Sequence, residues 1–157
     1  MLIILVGLLA MSGSMALRAQ KQDNSILLNL HTIGSTGPAV RAVRDFLKRE
    51  GDGKEEKWYK TSEGYLAEFD AGGREGKYFY NQKGNWSFSI LTFGEKGLPE
   101  DIRRMVRSTY FEYSISWVKQ VTGVQGFSYV VHIENAAAWK ELVIHDDEMQ
   151  VWKAFDK

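Results

Sequence analysis

The chain has 157 residues, 20 basic and 20 acidic side chains, 44% apolar and 13% aromatic residues, and no cysteine. That length sustains one hydrophobic core without covalent staples, and the missing cysteines exclude disulfides, thiolate metal sites, iron–sulfur ligation, thiol catalysis and a lipid-anchored cysteine. Zero net charge disfavours nucleic acid as a partner, because neutralising phosphates needs an excess of Lys and Arg, and the apolar content is too high for a disordered chain.

Residues 2–11 (LIILVGLLAM) form an uninterrupted apolar run, followed by Ser12, Gly13 and Ser14 and then Ala16-Leu17-Arg18-Ala19. Ten helical residues reach about 15 Å, half of a ~30 Å hydrocarbon core, which suits a signal-peptide core better than a membrane span. Cleavage is expected after Ala19, or after Ala16, which leaves no stable membrane anchor on a periplasmic or secreted chain. The alternative is a buried N-terminal strand or helix. Residues 20–37 form a lead-in segment in which Ile26-Leu27-Leu28 could make a short strand.

Thr36-Gly37-Pro38 opens a helix, since Pro is favoured at the first helical position, and Val40, Val43, Phe46 and Leu47 follow at helical spacing. Beyond Gly53 the period changes. Short alternating aromatic runs around Trp58, Tyr65, Tyr78 and Phe88 are separated by turn formers, which predicts a four-stranded meander. Leu98-Pro99-Glu100-Asp101 opens a second helix with the stripe Ile102, Met105, Val106 and Tyr110, and four more strands are expected over residues 115–155. The halves overlay: Tyr65, Ala67 and Phe69 fall on Tyr129, Val131 and Ile133 at an offset of 64, as Phe88 falls on Trp152. The expectation is an α+β protein of two tandem α-β4 units, residues 38–97 and 98–157, each a helix followed by a four-stranded antiparallel meander. Both helices would lie on one face of an extended antiparallel sheet.

The order of these features resembles the PepSY-like, β-lactamase-inhibitor-like proteins, a family of small exported proteins of Bacteroidetes-type bacteria. The residues that carry it are Pro38 at a helix start, Trp58, the run Tyr65-Leu66-Ala67-Glu68-Phe69, Tyr78-Phe79-Tyr80, Gly84-Asn85-Trp86, Leu98-Pro99, Tyr110 and Tyr129-Val130-Val131-His132-Ile133. The likeness spans about residues 38–155, and the final turn, Asp146-Asp147-Glu148-Met149, departs from it in lacking glycine. It implies a helix-plus-curved-sheet fold, export, and no established catalysis.

Chemistry-bearing groups are sparse, and none makes a recognisable active site. The histidines are His31, His132 and His145, and their spacing supplies no convergent ligand triad. Asp146-Asp147-Glu148 lacks the glycine and ligand spacing of a calcium loop. Glu55, Glu56, Glu63 and Glu68 suggest no facing carboxylate pair. Basic stripes at Arg41, Arg44 and Lys48, and at Arg103, Arg104 and Arg107, read as the solvated backs of two helices. No cofactor, metal site or catalytic residue is expected.

The second sheet face is more informative. With the helices over Tyr65, Phe69, Tyr78, Tyr80, Phe88, Tyr129, Ile133, Leu142, Ile144 and Trp152, strand parity turns Leu66, Phe79, Leu91, Val130, His132, Trp139 and Val143 the other way. Sheets with helices on one side usually alternate apolar-in and polar-out, so so greasy an outer face points to an interaction site or to cover by the lead-in segment or a second copy. The expectation is a non-catalytic binding or inhibitor-like module that docks a protein or peptide through Leu66, Phe79, Val130, His132, Trp139 and Val143. A small-ligand or envelope-stress sensor, and a small hydrolase using carboxylates or a His-bound metal, are the alternatives.

Overall fold

The computed structural model describes residues 26–28, 37–51 and 55–157. The expected signal peptide, its cleavage positions, His31 and most of the lead-in segment lie outside the described residues. In chain order the elements are β1 (Ile26–Leu28), α1 (Pro38–Glu50), β2 (Glu56–Lys60), β3 (Gly64–Asp70), β4 (Glu75–Asn81) and β5 (Trp86–Phe93). A short 3-10 turn (Glu95–Gly97) then leads into α2 (Glu100–Thr109), β6 (Ser114–Gly123), β7 (Gly126–Glu134), β8 (Ala138–His145) and β9 (Glu148–Asp156).

Helix α1 begins with Pro38 after Gly37 and ends at Gly51, whose φ of 76° needs glycine and whose N–H donates to the Leu47 carbonyl at 2.8 Å. Lys48 and Arg49 in its last turn, and Glu100 and Asp101 in the first turn of α2, oppose the helix dipoles. In the β4–β5 turn the Asn81 side chain accepts from the N–H groups of Lys83 and Asn85. The β8–β9 turn has positive φ at both Asp146 (47°) and Asp147 (62°), the backbone of a two-residue primed hairpin, here built without glycine.

The α+β class holds, but two tandem helix-plus-four-strand units are not what the chain builds. A strand precedes α1 and pairs with β2, and β5 pairs with β6 across the expected boundary. The result is one nine-stranded antiparallel sheet in sequence order, with helices inserted before β2 and between β5 and β6. Continuity has a physical cause: a break between β5 and β6 would leave two rows of backbone donors and acceptors without partners.

The matched side-chain alternation also fails in places, because three strands carry one extra residue each. Ser87 is extra between the pairs Tyr80↔Trp86 and Phe79↔Phe88, Ser116 between Ile115↔Ile133 and Trp117↔His132, and Trp152 between Leu142↔Val151 and Glu141↔Lys153. Each bulge inverts parity beyond it. Phe88, expected beneath the helices, therefore pairs with Phe79 on the far face. Leu91, expected on the far face, pairs with Gly76 and is buried under α1, and Trp152 is 41% exposed at a bulge.

Two clusters form the core. Under α1, Ala42 and Phe46 meet Trp58, Ala67, Phe69, Tyr78, Tyr80 and Leu91; under α2, Ile102 and Val106 meet Val118, Val131, Ile133, Leu142 and Ile144. Phe93 packs against both. The cross-strand registers place all of these strand residues on one side of the sheet. Gly76 stays small because the Phe69 ring lies over it: an added Cβ would come 2.1 Å from that ring.

Candidate docking face

Register brings the six expected site residues to the side of the sheet opposite the helices, in three groups. Leu66 pairs with Phe79 and Phe79 with Phe88; Val130 pairs with Val143; His132 and Trp139 lie toward the far end of β7 and β8. Leu66, Val130 and Val143 are nevertheless only 5–6% exposed. They are flanked by longer side chains: Leu66 sits between Tyr59 and Phe79, and the pair Val130 and Val143 between Lys119 and Gln150. Short apolar side chains thus form a floor, and larger side chains stand above it.

The tallest of these make a row across four strands. Trp117 (β6) stacks on His132 (β7) with ring centroids 4.9 Å apart, His132 on Trp139 (β8) at 5.4 Å, and Trp139 on Phe155 (β9) at 6.0 Å. At the other end Phe79 and Phe88 stack at 4.2 Å. Cations flank the row: the Lys119 ammonium lies 4.7 Å from the Trp117 ring centre, and Lys153 bridges Glu141 at 3.2 Å. Because each ring turns its face to the next, the row presents edges outward. Flat stacking of a sugar ring needs an open aromatic face, whereas ring edges and the grooves between them suit polypeptide side chains.

His132 is the unusual member. Among the described residues its Nδ1 is buried without a hydrogen-bond partner, and the nearest carboxylate oxygen, on Glu141, stands 4.0 Å away, beyond hydrogen-bond reach. His145 is engaged elsewhere: its Nδ1 donates to the Phe127 carbonyl at 2.9 Å, lies 3.0 Å from the Ser128 hydroxyl, and its Nε2 is 3.3 Å from Asp146. His132 pairs with Glu141, whereas His145 contacts Phe127 and Ser128 near the start of β7, so the two histidines occupy different rows of the sheet. Among the described residues, no group of three or more His, Asp or Glu side chains could hold a metal ion. Glu68 is bridged by Lys77 at 2.7 Å, and Arg104 and Arg107 pair with Glu100 and Glu95, which accounts for much of the helices' charge internally.

Trp117, Phe88, Phe155 and Lys119 belong to this face and were not legible as such in the sequence. Bulges at Ser87 and Ser116 turn Phe88 and Trp117 outward, against simple alternation, while Phe155 was simply one more strand residue. At the Ser116 bulge the hydroxyl donates to Glu134 at 2.6 Å, and Lys157 bridges the same carboxylate at 3.1 Å. These two contacts hold the Glu134 carboxyl below the usual range, the Ser116 hydrogen bond contributing most. Among the described residues, no helix is long and apolar enough to cross a membrane.

No family model matches the chain, and no curated protein matches it. Among solved structures it is similar to a BLIP-like protein from Bacteroides fragilis (TM-score 0.60, 18% identity, 78% of this chain and 89% of that one). It is also similar to a DUF2874 family protein from Bacteroides ovatus (0.59, 17%, 78% and 89%). A third is a provisionally named periplasmic protein from Bacteroides eggerthii (0.58, 9%, 74% and 86%). At these identities the likeness is one of fold: the chain has the architecture of BLIP-like and DUF2874 proteins of Bacteroides.

Proposed function

We propose that the chain is an exported, non-catalytic binding or inhibitor-like module that docks a protein partner on the sheet face opposite its helices. One observation carries the reading: the row Trp117–His132–Trp139–Phe155, already stacked, on a side of the sheet to which neither helix contributes. Rings locked against one another lose little side-chain freedom on docking, which favours them as anchors. The fold likeness to a BLIP-like protein and to a periplasmic one supports the inhibitor-like and exported parts, as do the apolar run at residues 2–11 and the PepSY-like order of features. Leu66, Val130 and Val143 act as the floor that fixes the rings, with Phe79, His132 and Trp139 meeting the partner.

The test uses immobilised full-length protein and an envelope extract, with Trp117→Ala and Trp139→Ala on the face and Arg104→Glu on the outer side of α2 as control. A retained protein should be lost, by about thirtyfold in affinity for a hot-spot ring, from the two tryptophan variants and kept by the control. Equal retention by all three overturns the proposal. Inhibition of purified β-lactamases by the full chain tests the inhibitor-like part separately.

A further inference from the structure

The imidazole inside the docking row is half of a hydrogen bond that has not formed. Glu141 pairs with His132 across β7 and β8, and its two oxygens are engaged differently. Oε2 is bridged by Lys153 at 3.2 Å, and the Lys153 ammonium is itself placed 3.9 Å from the Trp152 ring centre. Oε1 stands 4.0 Å from His132 Nδ1 and, among the described residues, has no hydrogen-bond partner. An unused acceptor therefore stands opposite an orphaned ring nitrogen, on side chains only 16% and 15% exposed.

A single proton closes this gap. The neutral ring carries one N–H, and its other nitrogen offers a lone pair that a carboxylate repels; in the imidazolium both nitrogens donate. Glu141 then needs about 1 Å of approach to reach the roughly 2.7–2.9 Å of a charge-assisted hydrogen bond. The same proton strengthens the stack. His132 lies between Trp117 at 4.9 Å and Trp139 at 5.4 Å, inclined to them by 16° and 27°, so the cation meets an indole face on either side. The other charges around the ring are few. Glu134, on β7 itself, responds to the His132 charge and is held by Ser116 and Lys157; Lys119 on β6 lies on the Trp117 ring; Lys153 on β9 is tied to Glu141. Among the described residues, Glu141 is the group that turns a free oxygen toward Nδ1.

We infer that the row is an acid-set lock: protonation of His132 draws Glu141 Oε1 onto Nδ1, fixes Trp117 and Trp139 against an imidazolium, and so tightens docking on this face in mildly acidic surroundings. The effect on docking rests on the function proposed above; the lock itself does not. Imidazole is the side chain whose charge changes within the range of about pH 5–8. A partner that meets rings already fixed bears less of the cost of ordering them, and a partner that prefers the locked row draws the chain toward it. His145 is no second device of this kind, since its nitrogens are already engaged by the Phe127 carbonyl and Asp146.

The experiment is imidazole and indole NMR of the full chain at about pH 5.5 and 7.5, either side of the imidazole range. At the lower pH, His132 should show an Nδ1–H signal that exchanges with water about tenfold more slowly than in Glu141→Gln, as loss of one charge-assisted hydrogen bond implies. The Trp117 and Trp139 side chains should be more ordered at the lower pH. That difference should vanish in Glu141→Gln and in His132→Phe, which keeps a ring in the stack without the proton, and persist in His145→Gln. In the same buffers, immobilised full chain should hold its envelope partner up to about tenfold more tightly at the lower pH. His132→Phe should hold it equally at both. No protected Nδ1–H in acid, a signal unchanged in Glu141→Gln, or ring order that ignores pH overturns the lock. A lock that forms while a partner is held equally at both pH values overturns its control of docking. A lock that forms while nothing is held at either pH overturns the docking reading, and that control with it, and leaves the lock standing.

Discussion

Replacing Phe46 by Ala tests the core that α1 builds. Phe46 is fully buried and meets three rings edge-on: Trp58 at 5.6 Å, Phe69 at 5.7 Å and Tyr78 at 5.4 Å. Removing a buried Phe costs roughly 3–5 kcal/mol, and each aromatic pair adds about 0.5–1.5 kcal/mol beyond area burial. The cavity cannot collapse easily, because the surrounding rings are themselves pinned: Trp58 leans on Tyr80, and the Tyr78 hydroxyl donates to Glu50 across the sheet–helix gap. The loss should therefore fall near the upper part of the range, about 4–5 kcal/mol. At this chain length that lowers the melting temperature by roughly 8–20 °C. Urea unfolding, followed by tryptophan fluorescence and by far-ultraviolet circular dichroism, measures it. A loss below about 1.5 kcal/mol with an unchanged urea slope refutes the reasoning, because the ring contacts would then carry almost none of α1's attachment.

Other expectations follow from particular groups. Gly84 has φ +77°, and an added Cβ would lie 1.9 Å from the Pro38 carbonyl, whereas Gly73 has positive φ but open space around it. Gly84→Ala should cost about 2 kcal/mol or more and Gly73→Ala only about 1 kcal/mol, compared by thermal melting. Burial raises the Tyr78 and Tyr80 hydroxyls above the usual range, with Glu50 adding to the first and Asp45 to the second. Their raised folded-state values mean that their contribution is complete below the unfolded value near pH ~10 and is lost as pH climbs beyond it. Urea midpoints between pH 7 and 11 should fall only at the alkaline end, and less so in Tyr80→Phe, which removes one of the two titrating hydroxyls. The Glu134 carboxyl, lowered by Ser116 and Lys157, has the opposite sign: its small contribution is present above the ordinary carboxylate value and is lost as pH falls through the depressed one. Carboxyl-carbon NMR titration should show the Glu134 midpoint rising both in Ser116→Ala and in Lys157→Ala.

The helices and strands were legible because their boundary signals are local. Pro38 and Leu98-Pro99-Glu100 start helices, Asn81 to Gly84 and Asp146-Asp147 make turns, and each signal acts through its own backbone. What was not legible depends on pairing. Trp58 and Trp117 look like counterparts in the sequence, yet Trp58 is buried with Ala67 under α1 while Trp117 stacks on His132 on the other side. One extra residue, Ser116, separates those outcomes, and nothing in the run Ile115-Ser116-Trp117 announces it. Joining β5 to β6 is likewise a property of the whole sheet, set by hydrogen-bond closure between residues far apart in the chain such as Phe88 and Gly123. The far-face placement of Leu66, Val130, His132, Trp139 and Val143 was legible because β3, the later part of β7 and β8 keep simple alternation where they reside.

The division of the far face into floor and rings decides which substitutions can probe docking. Placing Asp at Val130 puts a carboxylate where the side chain is 6% exposed, between Lys119 and Val143. Burying an unpaired charge there destabilises the sheet itself, so lost binding in that variant would say nothing about the surface. Ring-edge substitutions differ. Trp139 stands between His132 and Phe155, and cutting it to Ala opens the row without placing charge on the floor. His132 then loses one of its two stacked neighbours and gains access to water for its unpartnered Nδ1, which offsets part of the lost packing. Trp139→Ala should therefore retain a cooperative unfolding transition and lose the preformed stack. If it instead unfolds the sheet as severely as Val130→Asp, the rings are core rather than contact surface, and the docking face has to be sought elsewhere on the molecule.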